Sequence, residues 1–255
     1  MKKIIHGDKK DLLKYYVCSS RDEMGKFAAD LISKYIIKYL AEKQEIRIIF
    51  ASAPSQDEML YHLTNNDEID WSKIVGFHMD EYLGLPVNSD QWFKNYLQKN
   101  IIEKVDMKQF HFINGTAQPE EEMKRYAKLL NEQPIDIVCL GIGENGHIAF
   151  NDPPIANFED TETIKKVELD YKSRQQQVND GCFPSIENVP THALTLTIPA
   201  LISAETMICT VPGPTKKEAV YNVLNGKIDT SCPATIMRRH HNAHLILDSE
   251  SFGIE

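Results

Sequence analysis

Two short stretches of this chain carry side chains that could move protons. Asp80 and Glu81 follow one apolar run, and His147 and Asp152 follow another. An unperturbed histidine changes its charge near neutral pH, and a neighbouring carboxylate can hold its ring in one orientation. A carboxylate beside a sugar carbon next to a carbonyl or imine can move a proton between neighbouring carbons. These residue types predict acid–base chemistry without a metal or an organic cofactor, and we expect neither.

Both stretches are predicted to lie at the ends of buried strands. The apolar run at residues 135–140, interrupted only by Asp136, stops at a loop with three glycines, and glycine lets a backbone approach a ligand closely. In open α/β sheets, ligands lie beyond the carboxyl ends of the strands, so Asp80 and His147 are expected to face one ligand. For the acidic pair, capping of a turn is an equally weighted alternative.

A third candidate site is the turn Ser52-Ala53-Pro54-Ser55, between a β-branched run and a helical pattern. A strand, a small-residue turn and a helix together form a common phosphate site, made of backbone N–H groups and the positive end of the helix. The turn has no glycine, and Pro54 lacks one donor. The sequence therefore favours phosphate binding by Ser52, Ala53 and Ser55 no more than an ordinary strand-to-helix connection.

A second phosphate ligand is suggested by Lys216. Thr215 is the expected N-cap of a helix from Lys216 to Leu224, so Lys216 and Lys217 fall in its first turn. Two cations there oppose the helix dipole, and a bound phosphate would relieve that conflict. At least one of the two lysines is expected to be an ordinary solvated residue.

The whole pattern predicts a three-layer α/β fold, with a mostly parallel sheet and helices on both faces, in a single domain over residues 1–255. Apolar residues at helical spacing predict a long helix from Arg21 to Ala41, with Ser20 as its N-cap. The alternating run from Ala193 to Ile198 predicts a strand. Residues 154–180 are polar and are expected to form an irregular excursion over the active face.

Composition narrows the classes of function. The net charge of -9 argues against nonspecific binding to nucleic acid or to an anionic membrane. Five scattered cysteines without CxxC spacing indicate a cytoplasmic protein with reduced thiols. The start at residues 1–3 is charged, but no apolar segment of a signal peptide follows, and no run approaches the length of a membrane span. The histidines at residues 240–244 have no carboxylate at ligand spacing, so no metal site is expected.

Four segments carry a family resemblance. GFHMDEYLGLP and LGIGENGHIAFNDP resemble the two most recognisable motifs of the glucosamine-6-phosphate deaminase/isomerase family, while VPTHALTLTIPAL and VPGPTKKEAV resemble its later strand and its phosphate-binding lysine turn. The order and spacing also fit, from about Ile46 to the last strand. The resemblance implies conversion of glucosamine 6-phosphate and water into fructose 6-phosphate and ammonia.

The resemblance also implies a role for individual residues. Asp80 matches the base that takes the C2 proton and returns a proton to C1, and His147 matches the acid–base group that opens the ring. Asn145 and Asp152 match the residues that orient this histidine, and Lys216 matches the phosphate ligand. Together with the turn at residues 52–55, we take Glu81, Gly143 and Arg174 as substrate-binding candidates.

The chain departs from the family pattern at several of these positions. Asn145 stands where many members have Asp, and Asp152 stands where Glu is usual, so a longer contact with His147 is expected unless the backbone shifts. The turn at residues 52–55 replaces a Gly-Gly turn. Arg174 is the candidate for a phosphate-binding arginine expected in that region. Because these changes lie where the substrate is recognised, another sugar phosphate, such as galactosamine 6-phosphate, is kept as an alternative substrate.

Two further hypotheses remain. The fold also fits a hydrolase of sugar-phosphate lactones, like the related 6-phosphogluconolactonases, although that chemistry needs no base at Asp80. A non-catalytic sugar-phosphate sensor is the third reading, and the lack of a basic DNA-binding segment before residue 20 weakens it. In all three, the partner is a small-molecule sugar phosphate. The sequence does not decide between a monomer and a homo-oligomer, and it does not indicate the epimer preference.

Overall fold

The computed structural model describes residues 4–254. Residues 1–3, which bear on the expected absence of a signal peptide, lie outside this range. The strands are β1 (Ile4–Lys10), β2 (Leu13–Cys18), β3 (Ile46–Phe50), β4 (Ile74–His78), β5 (Asp80–Tyr82), β6 (Gln109–His111), β7 (Ile137–Leu140), β8 (Ile164–Glu168), β9 (His192–Leu196), β10 (Thr206–Val211) and β11 (Ala243–Asp248). The helices are α1 (Arg21–Leu40), α2 (Asp57–Thr64), α3 (Phe93–Leu97), α4 (Pro119–Asn131), α5 (Tyr171–Asn179), α6 (Ile198–Ile202), α7 (Lys217–Asn225) and α8 (Ser249–Phe252).

Eight strands form the central sheet, in the order β1-β2-β11-β10-β7-β3-β4-β6. All neighbours in it are parallel except β1 and β2, which form an antiparallel hairpin at one edge. The sequence patterns did not predict this hairpin, but the mostly parallel sheet is confirmed. Within residues 4–254, no helix is both long enough and apolar enough to cross a bilayer.

The central strands are buried on both faces. Ile48 and Phe50 of β3 pack into one hydrophobic cluster with α1 and α2, whereas Ile49 packs into another with α4, α6 and α7. Successive side chains of a strand point to opposite faces, so a strand between two helical layers is apolar throughout. At the start of α1, the Ser20 side chain accepts a hydrogen bond from the Glu23 backbone N–H at 3.2 Å, which confirms the predicted N-cap. The three-layer α/β fold is confirmed as well.

A second, smaller sheet lies beyond the end of β4. It has the strand order β5-β9-β8, and both pairings are antiparallel. The predicted strand at residues 193–198 is therefore present as β9, and it pairs in this sheet. Asp80 is the first residue of β5, opposite Thr195, so the chain leaves the parallel sheet at the point where the acidic pair begins.

Residues 154–180 were expected to form an irregular excursion over the active face; the segment does lie over the pocket, but it is not irregular. This segment contains β8, which adds an edge to the smaller sheet, and α5, which covers the site described below. Asp170 caps α5 by accepting a hydrogen bond from the Lys172 backbone N–H at 2.9 Å. Only two apolar residues of β8, Ile164 and Val167, are buried, and α5 is mostly polar, so neither gives a strong hydrophobic pattern.

Candidate active site

A pocket of ≈ 200 Å³ opens where the carboxyl ends of β3, β4, β7 and β10 meet the smaller sheet and α5. This is the edge at which open α/β sheets bind ligands. Seven residues predicted from the sequence line it: Ser52, Ala53, Ser55, Asp80, Gly143, His147 and Lys216. The acid and the imidazole singled out from distant parts of the chain therefore share one cavity.

Asp80 brings a carboxylate into this pocket from the start of β5. The residue is only 8% exposed. Burial, together with the nearby charge of Glu81, raises the pKa of Asp80 to about 8. Removal from water disfavours the charged form, and a like charge adds to the effect. Asp80 can therefore exchange a proton near neutral pH, as a group that both takes and returns protons must.

Glu81, also predicted to bind substrate, is directed elsewhere, and this prediction is corrected. Its fully buried carboxylate accepts hydrogen bonds from the backbone N–H groups of Tyr82, Phe93 and Lys94, at 3.0, 3.0 and 2.9 Å. Because neighbouring strand residues point in opposite directions, Asp80 faces the pocket while Glu81 caps the first turn of α3. Burial raises the pKa of Glu81 to about 7 despite these three bonds. The capping alternative was correct for this member of the pair.

His147 is held by a compact polar group. Its Nδ1 lies 2.8 Å from the Asn145 Oδ1 and 3.0 Å from the Asp152 Oδ1, and the Asn145 Nδ2 donates to the Asp152 Oδ1 at 2.8 Å. The Asn145 and Asp152 oxygens are acceptors, so Nδ1 carries the hydrogen and Nε2 is left to accept or deliver a proton. The Asp152 carboxylate thus contacts the imidazole directly in spite of its shorter side chain. Neither Asn145 nor Asp152 lines the pocket, and both reach it through His147.

Ser173 joins this group and was not identified from the sequence. Its hydroxyl lies 3.0 Å from the His147 Nδ1 and donates to the Asp152 carboxylate. Burial disfavours the charge of Asp152, but its contacts with His147, Asn145 and Ser173 outweigh this, and its pKa lies below the usual value. Asp152 is therefore a carboxylate at neutral pH. Ser173 belongs to α5, in the segment expected to be irregular, so no sequence signal indicated which way it faces.

Two glycines of the 141–146 loop are required by close contacts. A Cβ at Gly143 would overlap the His147 ring, and a Cβ at Gly146 would overlap the side chain of Cys232. Gly146 also has φ +85, a left-handed conformation that glycine adopts without strain. Nearby, Ala149 lines the pocket at φ 48, which is uncommon for a residue with a side chain. The loop is thus shaped around His147.

The opposite end of the pocket is formed by the 52–55 turn and by Lys216. Ser52 is 8% exposed, and its hydroxyl has no hydrogen-bond partner among residues 4–254. Lys216 is 7% exposed, and burial lowers its pKa although the charges of Asp180 and Glu144 oppose this. Thr215 is not an N-cap, since Lys216 closes a 3₁₀ turn, Pro214–Lys216, that precedes α7. A buried hydroxyl and a buried ammonium are suited to hold an anion here.

Arg174 does not line the pocket, so its selection as a substrate ligand is corrected. Its Nη2 donates to the backbone oxygens of Ile186 and Val189, at 2.7 and 3.0 Å, and thereby secures the loop before β9. The neighbouring position Ser173 faces His147 instead, because successive residues of a helix point about 100° apart. An arginine that sequence reasoning overlooked, Arg21, does line the pocket.

The histidine-rich segment before β11 lies apart from this pocket. His240 is buried, and its Nε2 lies 2.8 Å from the Ala204 backbone oxygen, while the His244 Nε2 lies 3.0 Å from the Tyr35 hydroxyl. Over residues 4–254, no group of three or more His, Cys, Asp and Glu side chains is arranged to hold a metal ion. These histidines act as hydrogen-bonded parts of the interior.

Comparisons with known proteins identify the family and the fold. The family model for glucosamine-6-phosphate isomerases/6-phosphogluconolactonase matches residues 19–246. A glucosamine-6-phosphate deaminase of Clostridium acetobutylicum is 34% identical over 92% of this chain and 97% of its own, and one of Exiguobacterium sibiricum is 30% identical over 95% and 93%. The structure of a monomeric glucosamine-6-phosphate deaminase of the NagB superfamily superposes with a TM-score of 0.84 at 26% identity, over 95% of this chain and 99% of the other.

Proposed function

The chain belongs to the family of glucosamine-6-phosphate isomerases and 6-phosphogluconolactonases, and we propose that it converts glucosamine 6-phosphate and water into fructose 6-phosphate and ammonia. The observation that carries the proposal is that Asp80, His147 and Lys216 line one pocket at the carboxyl edge of the sheet. Relatives at least 30% identical over most of the chain are named for the deaminase reaction.

The first step assigned to this pocket is ring opening by His147. With Nδ1–H directed at Asp152 and Asn145, the free Nε2 takes the proton of the O1 hydroxyl and delivers a proton to the ring oxygen. The C1–O5 bond breaks, leaving an aldehyde at C1 and a hydroxyl at C5. The Asp152 carboxylate stabilises the imidazolium that exists between the two transfers.

Asp80 performs the second step. Its carboxylate removes the C2 proton, which the new C1 aldehyde acidifies, and the O1 oxygen takes a proton from solvent as an enolamine with a C1–C2 double bond forms. The same group, now protonated, delivers its proton to C1, and the nitrogen returns a proton to solvent, so that the product is a C2 imine. A base whose pKa is about 8 takes up a proton from carbon and gives it back more easily than an ordinary carboxylate would.

Hydrolysis of the imine completes the reaction. Water adds to C2, the nitrogen receives a proton, and ammonia leaves as the C2 carbonyl of fructose 6-phosphate forms. No electron acceptor is needed, because the oxidation at C2 is balanced by the reduction at C1. Throughout these steps the phosphate is held by Ser52, Ser55 and Lys216 at the other end of the pocket, which fixes C1 and C2 relative to Asp80 and His147.

A panel of three substrates tests this proposal. The wild-type protein is incubated with glucosamine 6-phosphate, galactosamine 6-phosphate or 6-phosphogluconolactone, and ammonia, ketose phosphate and acid release are followed. Ammonia and fructose 6-phosphate in equal amounts from the first substrate are expected. Turnover of galactosamine 6-phosphate alone would move the proposal to that epimer, whereas lactone hydrolysis without ammonia release would replace it with the hydrolase.

A further inference from the structure

We propose that Arg21 is the arginine that binds the phosphate of the substrate, together with Lys216 and Ser52. This assignment adds a substrate-binding residue to the proposed function. It rests on that function only in one respect, that the bound anion is the phosphate of a sugar phosphate. Arg21 lies far along the chain from the segment where an arginine was expected, and it reaches the pocket because α1 packs beside the 52–55 turn.

The guanidinium of Arg21 is fixed beside this turn. Its Nε donates to the Glu58 Oε1 at 2.7 Å, and its Nη2 donates to the Pro54 backbone oxygen at 2.5 Å. A guanidinium has five N–H donors, so these two bonds leave about three for a ligand. The side chain stays 42% exposed, on a wall of the pocket it shares with Ser52, Ser55 and Lys216. Arg21 is thus held in place and retains unused donors.

The groups around Arg21 indicate that an anion belongs there. The Ser52 hydroxyl is buried without a partner among the described residues, although an isolated buried hydroxyl is costly. Lys216 is nearly buried and forms no salt bridge within residues 4–254. A single anion between these groups and Arg21 would satisfy all three.

Charge balance also favours a second cation at this end of the pocket. A phosphate monoester carries a charge of about -1.5 to -2 at pH 7. Lys216 supplies one positive charge, and Asp180 and Glu144 oppose the anion from nearby. Arg174 is committed to backbone oxygens elsewhere, so Arg21 is the arginine placed to supply the remainder. Planar bidentate binding of phosphate is the geometry that a guanidinium favours.

Both cations occupy positions that local stability disfavours. Arg21 is the first residue of α1, and Lys216 lies directly before α7. A positive side chain at the positive end of a helix raises the free energy of the protein without ligand. An anion bound between the side chain and the helix end is attracted to both. Violations of a local rule that gather in one cavity are characteristic of functional sites.

The test measures binding of inorganic phosphate by calorimetry and the kinetics with glucosamine 6-phosphate, for wild type, Arg21→Gln and Glu58→Gln, with Arg239→Gln as the matched surface control. Arg21→Gln is expected to weaken phosphate binding at least tenfold and to raise KM by a similar factor, with kcat within about threefold of wild type. Arg239→Gln should match wild type in every measurement.

Glu58→Gln separates binding from a merely structural role. If Arg21 only secured the 52–55 turn through Glu58, loss of either partner would have the same effect. The proposal instead predicts that Glu58→Gln binds phosphate as tightly as wild type or more tightly, because a negative charge beside Arg21 is removed. Weaker phosphate binding in a folded Glu58→Gln protein would overturn the assignment, and this variant alone decides it if Arg21→Gln fails to fold.

The two proposals fail in different ways. A wild-type protein that binds phosphate in an Arg21-dependent manner but releases no ammonia supports the anion site and contradicts the deaminase. Ammonia release that is unaffected by Arg21→Gln, with unchanged KM and phosphate binding, overturns the role of Arg21 and leaves the reaction intact. Absence of phosphate binding by the wild-type protein also overturns the anion site.

Discussion

The Nδ1 atom of His147 lies 3.0 Å from the Oδ1 atom of Asp152, a carboxylate that is only 1% exposed. Asp152 comes from the same loop, and its remaining contacts are with Asn145 and Ser173. The interaction fixes the Nδ1–H tautomer and leaves Nε2 for the substrate. The Asp152 side chain reaches the imidazole directly, and Asn145 supplies the N–H donor that a second carboxylate would lack.

Removal of the Ser173 hydroxyl is expected to affect ring opening and stability together. Ser173→Ala deprives the buried Asp152 carboxylate of a donor, so its pKa should rise and the orientation of His147 should loosen. We expect kcat to fall about threefold to tenfold with little change in KM, and the free energy of unfolding to fall by about 1–2 kcal/mol. Steady-state kinetics and denaturant unfolding measure these effects, with the exposed Ser231→Ala as control. Loss of stability with an unchanged kcat would make Ser173 a packing residue only.

The pH dependence of the reaction should report Asp80. Its pKa of about 8 means that the base is mostly protonated at pH 6 and mostly ionised at pH 9. The value of kcat/KM, which reflects the free enzyme, is therefore expected to rise with pH up to about 8 and then to level off. A profile that is flat from pH 6 to 9, at saturating and subsaturating substrate, would contradict the assignment of Asp80 as the base.

The same group should make stability depend on pH. The pKa of Asp80 is about 8 in the folded protein, against 3.8 for an Asp side chain in an unfolded chain, so the folded state binds the extra proton between these values. Stability linked to Asp80 is complete below pH 4 and is lost as pH rises through 8. Between pH 5.5 and 8.5, the free energy of unfolding of the wild-type protein should fall by about 3 kcal/mol more than that of Asp80→Asn. Parallel curves from denaturant unfolding would refute the raised pKa.

Lys216 and Lys217 form a matched pair for testing the phosphate end of the pocket. Lys216 is 7% exposed and lines the pocket, whereas the exposed side chain of Lys217 lies against Gly253. Lys216→Met should raise KM for glucosamine 6-phosphate about tenfold to hundredfold, with little change in kcat, because the lost interaction is equal in the ground state and the transition state. Lys217→Met should leave KM unchanged. Equal effects of the two substitutions would place the phosphate elsewhere.

The fold and the centre of the site could be predicted because their signals are local. The apolar runs ending before Asp80 and before the 141–146 loop are short, and parallel strands bring such ends to one edge. The roles of Ser173 and Arg174 could not be predicted in this way. They are neighbours on α5, and only the orientation of that helix decides that one meets His147 and the other meets backbone oxygens.

The roles of Arg21 and Glu81 also depend on tertiary contacts that could not be predicted from the sequence. Arg21 reads as the polar start of an amphipathic helix, and its place in the pocket depends on how α1 packs against the turn that contains Pro54. Glu81 reads as one of two equivalent acids, and the antiparallel pairing of β5 with β9 decides which of the two faces the pocket. The first turn of α3 supplies two of the N–H groups that Glu81 caps.

The most direct test of the central claim compares ammonia release from glucosamine 6-phosphate by the wild-type protein, by Asp80→Asn and by the exposed control Asp67→Asn. A positioned general base contributes about 10² to 10⁴ in rate, so Asp80→Asn should lose at least a hundredfold in kcat while remaining folded, and Asp67→Asn should match wild type. An Asp80→Asn protein that releases ammonia within tenfold of the wild-type rate would contradict the account.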